Sequence, residues 1–147
     1  MKILRVAVLL LACLTHSVAY SIYFNSLNIR SFDGTNGIGE VDIYEFIDYI
    51  NSLIADCEEI SMLILSNEDC SEKLSTFCSQ MLNFVSQIYE LYSTPEYSGR
   101  NEDIQNWILQ VQRLTEACSG NDLLYLVDII DYEIKNNLTE VIHILED

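Results

Sequence analysis

The chain has 147 residues, of which 23 are Asp or Glu and only seven are Lys or Arg, so its formal net charge at pH 7 is −16. One domain is expected at this length. A surface this acidic would be repelled by nucleic-acid backbones and by anionic membranes, so we expect neither as a partner and favour a basic protein instead.

The first 19 residues are typical of a secretory signal peptide. Lys2 and Arg5 precede a short apolar run, and small residues at 17–19 form a cleavage site. The run is too short for a membrane span, which needs about 20 apolar residues. Removal of residues 1–19 takes away two cations and no acid, which changes the net charge from −16 to −18. We therefore expect a secreted, extracellular protein.

Residues 20–40 form a Gly-rich N-terminal segment ahead of the predicted helical domain. The stretch 32–46 resembles an EF-hand calcium loop, with candidate ligands at Asp33, Asn36, Asp42 and Glu45. Two departures weaken the match, because Gly34 takes the first ligand position and Ile38 stands where an oxygen ligand is required. No second loop is present to pair with it. We favour a Gly-rich turn leading into an acidic helix, with no metal and no cofactor.

Residues 41–147 predict an all-α domain, an antiparallel bundle of about four helices. Apolar residues three and four apart mark a first helix from about 41 to as far as 65. Asp69 and Glu72 resemble a capping box at the start of the second helix. That helix should end near Tyr92, because Pro95 disfavours helix just before it.

The third and fourth helices follow a turn-rich connection at 93–100. Asn101 is the predicted cap of the third helix, whose apolar face carries Ile104, Trp107, Ile108, Val111, Leu114 and Cys118. Gly120 suits a left-handed helix end, and Asn121 is the predicted cap of the fourth helix. The fourth apolar stripe consists of Leu123, Val127, Ile130, Ile134, Leu138, Val141 and Leu145. Short links between four such helices favour an up-down bundle.

Four cysteines remain beyond the signal peptide: Cys57, Cys70, Cys78 and Cys118. An even count in an exported chain predicts two disulfides, and close CxxC or HxxxH pairs typical of zinc or redox sites are missing. Cys70 and Cys78 cannot bond to each other, because eight residues of helix rise about 12 Å.

Two pairings survive this exclusion. The preferred one joins Cys57 to Cys78 and Cys70 to Cys118, because 57 and 78 are symmetric about the turn at 66–69. The other joins Cys57 to Cys70 and Cys78 to Cys118, and it would be preferred if the first helix stopped near 58.

Few residues in this sequence could form a catalytic site. His143 is the only histidine after residue 19, so a Ser-His-Asp or Cys-His arrangement would depend on one residue near the C-terminus. We therefore predict that the protein is not an enzyme. Asn137 begins the sequon Asn-Leu-Thr, which predicts a glycoprotein.

Two functional classes fit a small, secreted, acidic helical protein. In the first, the exterior binds another extracellular protein, and an acidic face would favour a basic surface. In the second, the bundle carries a small hydrophobic ligand in its interior. Large apolar side chains along every stripe favour a filled interior and therefore the first class.

The signal peptide, the acidic mature chain, the helical pattern and the four cysteines together resemble small salivary proteins of blood-feeding flies. The likeness is greatest to the anophensin/albicin family of mosquitoes, and next to the helical C-terminal domain of the aegyptin type. The resemblance implies a salivary protein that binds and inhibits host-defence proteins, as a complement inhibitor or a protease inhibitor of the contact or coagulation pathway. It implies no cofactor. The Gly-rich stretch 33–40 has no counterpart that we can assign.

Overall fold

Four helices make up most of residues 43–147, the part of the chain that the computed structural model describes. The first three are α1 (Ile43–Leu65), α2 (Ser71–Tyr92) and α3 (Asn101–Ser119). The fourth, α4, covers 123–146 and has three parts: α-helical Leu123–Val127, π-helical Asp128–Ile134 and α-helical Lys135–Glu146. No strand occurs among these residues, so the predicted all-helical class is confirmed.

Each helix packs against two neighbours. The backbone of α1 approaches those of α2 and α4, and the backbone of α3 approaches the same two helices. Within 43–147, the diagonal pairs α1–α3 and α2–α4 make no close backbone approach. The four helices therefore surround one shared core.

The turn between α1 and α2 has a clear local cause. Asn67 adopts a left-handed conformation with φ of 58°. Its amide bonds to the carbonyl of Ile64, and the next amide, of Glu68, bonds to the carbonyl of Leu63. This is a Schellman helix end, for which Asn is the usual substitute for Gly. Asp69 then accepts hydrogen bonds from the amide and the hydroxyl of Ser71, which starts α2.

Four predicted helix-end residues are wrong by one position or one conformation. Cys70, not Asp69, takes the cap position of α2, and its side chain makes no capping bond. Arg100, not Asn101, takes the cap position of α3, and its side chain makes no capping bond. Asp122, not Asn121, caps α4 and accepts from the amide of Tyr125. Gly120 is extended, with φ of −81° and ψ of 173°, because the chain leaves α3 in an extended path toward Asp122.

Aromatic side chains connect three of the helices at the centre of the core. The ring of Phe84 in α2 stacks on Phe46 of α1 at 6.0 Å between centroids. Its other side meets Trp107 of α3 edge-on at 4.8 Å. Phe84 is fully buried, and burial of a side chain of this size stabilises by about 1.5–3 kcal/mol. The interior of the bundle is thus filled by large side chains.

The π-helical part of α4 changes which residues face the core. Leu123 is exposed and Val127 only half-buried, although both were predicted to be core. Leu126 and Ile129 are buried instead, beside the correctly predicted Ile130. A π turn closes on the fifth residue and so holds more residues than an α turn, which shifts the positions at which core-facing residues recur.

One predicted core residue of α3 also lies at the surface. Ile108 is 37% exposed, whereas its neighbour Trp107 is buried. Successive residues of an α-helix lie about 100° apart, and here Trp107 points at the core while Ile108 lies at its edge.

Candidate functional site

A pocket of about 140 Å³ lies where α2 ends and α3 begins, against the last part of α4. Its apolar and aromatic wall consists of Tyr92, Trp107, Val141 and Ile144. Polar and charged side chains supply the rest of the lining: Arg100, Asp103, Asn106, Gln110, Asn137 and Glu140. A hydrophobic ligand would leave many of these polar groups without partners, so the lining suits a polar ligand better.

The connection between α2 and α3 positions the charged side of this pocket. Gly99 takes a left-handed conformation with φ of 94°, which a side chain would disfavour, and it turns the chain into α3. The next residue, Arg100, places its guanidinium carbon 5.7 Å from the centre of the Tyr92 ring. One guanidinium nitrogen lies 3.2 Å from a carboxylate oxygen of Asp103.

Two buried polar atoms of the pocket lining have no hydrogen-bond partner within the described residues. They are the phenol oxygen of Tyr92 and the side-chain oxygen of Gln110. Tyr92 is only 4% exposed. A buried polar group without a partner typically costs about 1–3 kcal/mol, so the fold tolerates a penalty at this position.

Charged neighbours surround the phenol of Tyr92. Burial raises the pKa of Tyr92, because it disfavours the phenolate. Arg100 acts in the opposite direction, whereas Asp103 and Glu140 raise the pKa further. Arg100 is already paired with Asp103, and Glu140 makes no ion pair within 43–147. The uncompensated charge of the pocket is therefore negative.

The four cysteines are free thiols in this structure. Cys57, Cys78 and Cys118 are buried, and Cys70 is half-buried. The sulfur atoms of Cys78 and Cys118 lie 3.9 Å apart, whereas a disulfide bond measures about 2.05 Å. The two predicted disulfides are therefore not formed here, and they stay a prediction.

The sulfur contact that is present belongs to the alternative pairing. Cys78 meets Cys118 of α3, whereas our preferred pairing joined Cys78 to Cys57. Symmetry about the turn placed 57 opposite 78, but it does not say which helix face each residue occupies. Burial raises the pKa of Cys57 to about 12, and the nearby charges of Asp131 and Lys135 show that α4 is close to this thiol.

Most of the predicted calcium loop lies outside the described residues. Asp33, Asn36 and Asp42 fall before residue 43, and only Glu45 is described, as an exposed residue in the first turn of α1. Within 43–147, no group of three His, Cys, Asp or Glu side chains is placed to hold a metal ion. The calcium hypothesis stays untested.

Asn137 and His143 both lie in the last part of α4. Asn137 is half-buried and lines the pocket, so a glycan on it would begin at the pocket rim. The hydroxyl of Thr139, the third residue of the sequon, donates to the carbonyl of Lys135 one turn earlier. His143 is exposed in the last turn. Glycosylation of Asn137 stays a prediction.

On the exterior of the bundle, every Lys and Arg among residues 43–147 is already paired with carboxylates. Lys73 of α2 contacts Asp56 at 2.9 Å and Glu59 at 2.8 Å, both in α1. The other pairs are Arg100 with Asp103, Arg113 with Glu133, and Lys135 with Asp131 and Glu58. No described cation is left over to neutralise the remaining acids.

The sequence did not reveal the pocket. Tyr92 was recognised only as a helix end, and Gln110 and Glu140 drew no attention because they belong to no motif. These residues come from three helices and meet only through packing. The one local signal was the turn-rich connection at 93–100, which brings Arg100 back toward Tyr92.

Within residues 43–147, no helix combines the length and the apolar character needed to cross a membrane. No family model matches the chain, and neither a curated protein nor a solved structure matches it.

Proposed function

We propose that this protein is a secreted, non-enzymatic binding protein that holds a basic extracellular protein through its acidic exterior. The observation that carries the proposal is the pairing of all four described cations within the chain. The remaining carboxylates then act together on an approaching partner. Complementary charge of this kind speeds association and selects against acidic partners.

The resemblance to mosquito salivary proteins suggests the class of partner. In this proposal the partner is a host-defence protein of the complement, contact or coagulation pathway, and binding inhibits it. The secretory signal at 1–19 supports release from the cell. The polar lining of the pocket gives little support to the alternative, a carrier of a hydrophobic ligand.

The proposed architecture is an antiparallel, up-down bundle. Its support comes from contacts that run in opposite order along α1 and α2. The hydroxyl of Tyr49 donates to the carbonyl of Gln80 at 2.8 Å. Asp56, farther along α1, pairs with Lys73, which lies nearer the start of α2.

We also propose that the secreted protein contains a disulfide between Cys78 and Cys118. Support comes from their 3.9 Å sulfur separation and from the burial of both thiols, which keeps them in contact with each other. The bond forms when two thiols lose two protons and two electrons to a disulfide oxidant of the secretory pathway. The proposal does not extend to Cys57 and Cys70, because α1 continues to Leu65 and so places Cys57 about 12 Å of helix away from the turn that precedes Cys70.

Affinity capture tests the proposed function. The mature chain, residues 20–147, is immobilised and exposed to plasma at about 0.15 M salt, then washed at about 1 M salt, where the Debye length falls to about 3 Å. We expect a basic plasma protein to be retained at the lower salt and released at the higher.

A matched variant separates surface charge from nonspecific adsorption. Glu72, Glu90, Glu102 and Glu116 are exposed and make no ion pair within 43–147, so their joint replacement by Gln removes four charges without breaking a described contact. We expect capture by this variant to weaken markedly. The proposal would be refuted if the amount of retained plasma protein changed with neither salt nor these substitutions, or if no plasma protein were captured.

A further inference from the structure

The pocket between α2, α3 and α4 combines two features. It is lined by Tyr92 and Gln110, and each of these residues has a buried side-chain oxygen without a partner within 43–147. It also includes Glu140, a carboxylate without an ion pair in the described part of the chain. Ser61 and Gln80 have unpartnered buried oxygens as well, but neither residue lines this pocket.

The chemistry of these groups favours a ligand that donates hydrogen bonds. An amide oxygen such as that of Gln110 only accepts, and an ionised carboxylate only accepts, whereas a phenol can accept or donate. A ligand that satisfies all three groups therefore needs several N–H or O–H bonds. Positive charge on that ligand would balance Glu140 and strengthen each bond.

Asp103 offsets the positive charge of Arg100 at this position. The guanidinium of Arg100 is paired with Asp103 at 3.2 Å, and it covers the face of Tyr92. The site thus already accommodates one guanidinium between an aromatic ring and a carboxylate, at the edge of the same pocket. Anions, in contrast, would meet Glu140 with no free cation to attract them.

Size restricts the ligand further. A volume of about 140 Å³ is close to the ~150 Å³ of an engineered protein cavity that takes up one benzene molecule. An ammonium or guanidinium group with a short alkyl stem fits this space, and Trp107, Val141 and Ile144 offer apolar contact for the stem. A lipid or a folded peptide does not fit.

We infer that this pocket binds an alkylammonium or alkylguanidinium group, held by Glu140, Gln110 and Tyr92. The group belongs either to a free organic cation or to a Lys or Arg side chain of another protein. The inference stands apart from the proposed function, because it requires the pocket alone and not the acidic exterior.

Trp107 provides a reporter at the site, since it is the only tryptophan in the chain and lines the pocket. Its indole N–H signal in a two-dimensional NMR spectrum of the mature chain is followed during titration with methylguanidinium. Methylurea is the matched neutral compound, because it has nearly the same shape without the charge, and acetate is the anion control. We expect saturable shifts with methylguanidinium and at least about tenfold weaker binding of methylurea.

Two variants test the assigned residues. Glu140→Gln keeps the size of an exposed side chain and should weaken methylguanidinium binding at least about tenfold. Glu116→Gln makes the same charge change near the opposite end of α3 and should leave binding unchanged. Circular dichroism checks that both variants keep their helical content.

The same titration distinguishes the two sources of the cation. Nα-acetyl-arginine amide represents a protein side chain, and its citrulline counterpart is the neutral control. Binding of the arginine compound supports a protein source, whereas binding of methylguanidinium alone supports a free cation. Equal binding of methylurea and methylguanidinium, tighter binding of acetate, or no saturable shift of Trp107 would overturn the inference, whatever the outcome of plasma capture.

Discussion

The two ends of the α2–α3 pair are built in different ways. At one end, Cys78 and Cys118 are buried and face each other, so each thiol has a partner within the protein. At the other end, Tyr92 and Gln110 bury oxygens that have no partner, beside an open pocket. The first end is suited to a covalent bond that holds two helices together. The second buries polar groups without partners, at a cost in stability.

Replacement of Phe84 by Ala should have the largest effect, because this ring lies between the two ends and contacts α1 and α3 at once. Loss of a fully buried Phe typically costs about 3–5 kcal/mol. Urea unfolding of the purified variant measures the loss. Leu82→Ala, at a position 42% exposed on the same helix, should cost about 1 kcal/mol or less. Similar losses for both variants would contradict the aromatic contacts described for Phe84.

Alkaline pH should destabilise the reduced protein through Cys57. Burial raises the pKa of this thiol from 9.0 to about 12, so the folded state binds the proton more tightly than the unfolded state. The resulting stability is complete below pH 9 and is lost as the pH rises toward 12. Three pKa units correspond to about 4 kcal/mol over the whole window.

Cys57→Ala is the control for that pH dependence. The free energy of unfolding is measured for both reduced proteins across the same window, and the difference between them should shrink as the pH rises. A constant difference would mean that Cys57 does not titrate as a buried thiol. Cys57 lies in α1 near α4. This measurement therefore tests neither the cysteine end nor the pocket end of the α2–α3 pair.

Cys118→Ser should weaken the cysteine end in the oxidised protein. Loss of a disulfide typically costs about 2–4 kcal/mol, and the difference from the parent should shrink when both proteins are reduced. Peptide mapping of the variant identifies the released partner. A free Cys78 is expected, whereas a free Cys70 with an intact Cys57–Cys78 bond would restore the pairing preferred from the sequence.

Tyr92→Phe should have the smallest effect and the opposite sign. Its hydroxyl has no partner within the described residues, so its removal should raise the free energy of unfolding by up to about 1 kcal/mol. Tyr49→Phe removes a hydroxyl that donates to Gln80 and should lower stability by about 1 kcal/mol. Thermal unfolding of the two variants side by side checks the contrast. Equal destabilisation by both would indicate that Tyr92 has a partner after all.

Helix periodicity predicted most of the fold, because the core stripes of α1 and α2 depend on residues that are near in sequence. The end of α1 at Leu65 and the end of α2 at Tyr92 were both predicted correctly. The error at the start of α4 arose from the π segment, which no periodicity of 3.6 describes. The caps at Arg100 and Asp122 differ by one residue from those predicted, since several polar residues in each turn can serve as caps.

The candidate site could not be predicted in the same way. Tyr92, Gln110 and Glu140 belong to three different helices, and their meeting depends on how those helices rotate about their own axes. The cysteine contact has the same origin. Distance from a turn gives the level of a residue along a helix, but the partner of Cys78 is decided by the face it occupies.

The π-helical stretch Asp128–Ile134 determines the direction in which the side chains of the following helix, Lys135–Glu146, point. If this stretch took regular α geometry with all its residues kept, Lys135–Glu146 would rotate by about 100° about its axis, because each α turn holds fewer residues. Asn137 and Glu140 would then turn away from Trp107, and the pocket would lose one of its three walls. One backbone irregularity, the wider turn, therefore sets the orientation of both Asn137 and Glu140.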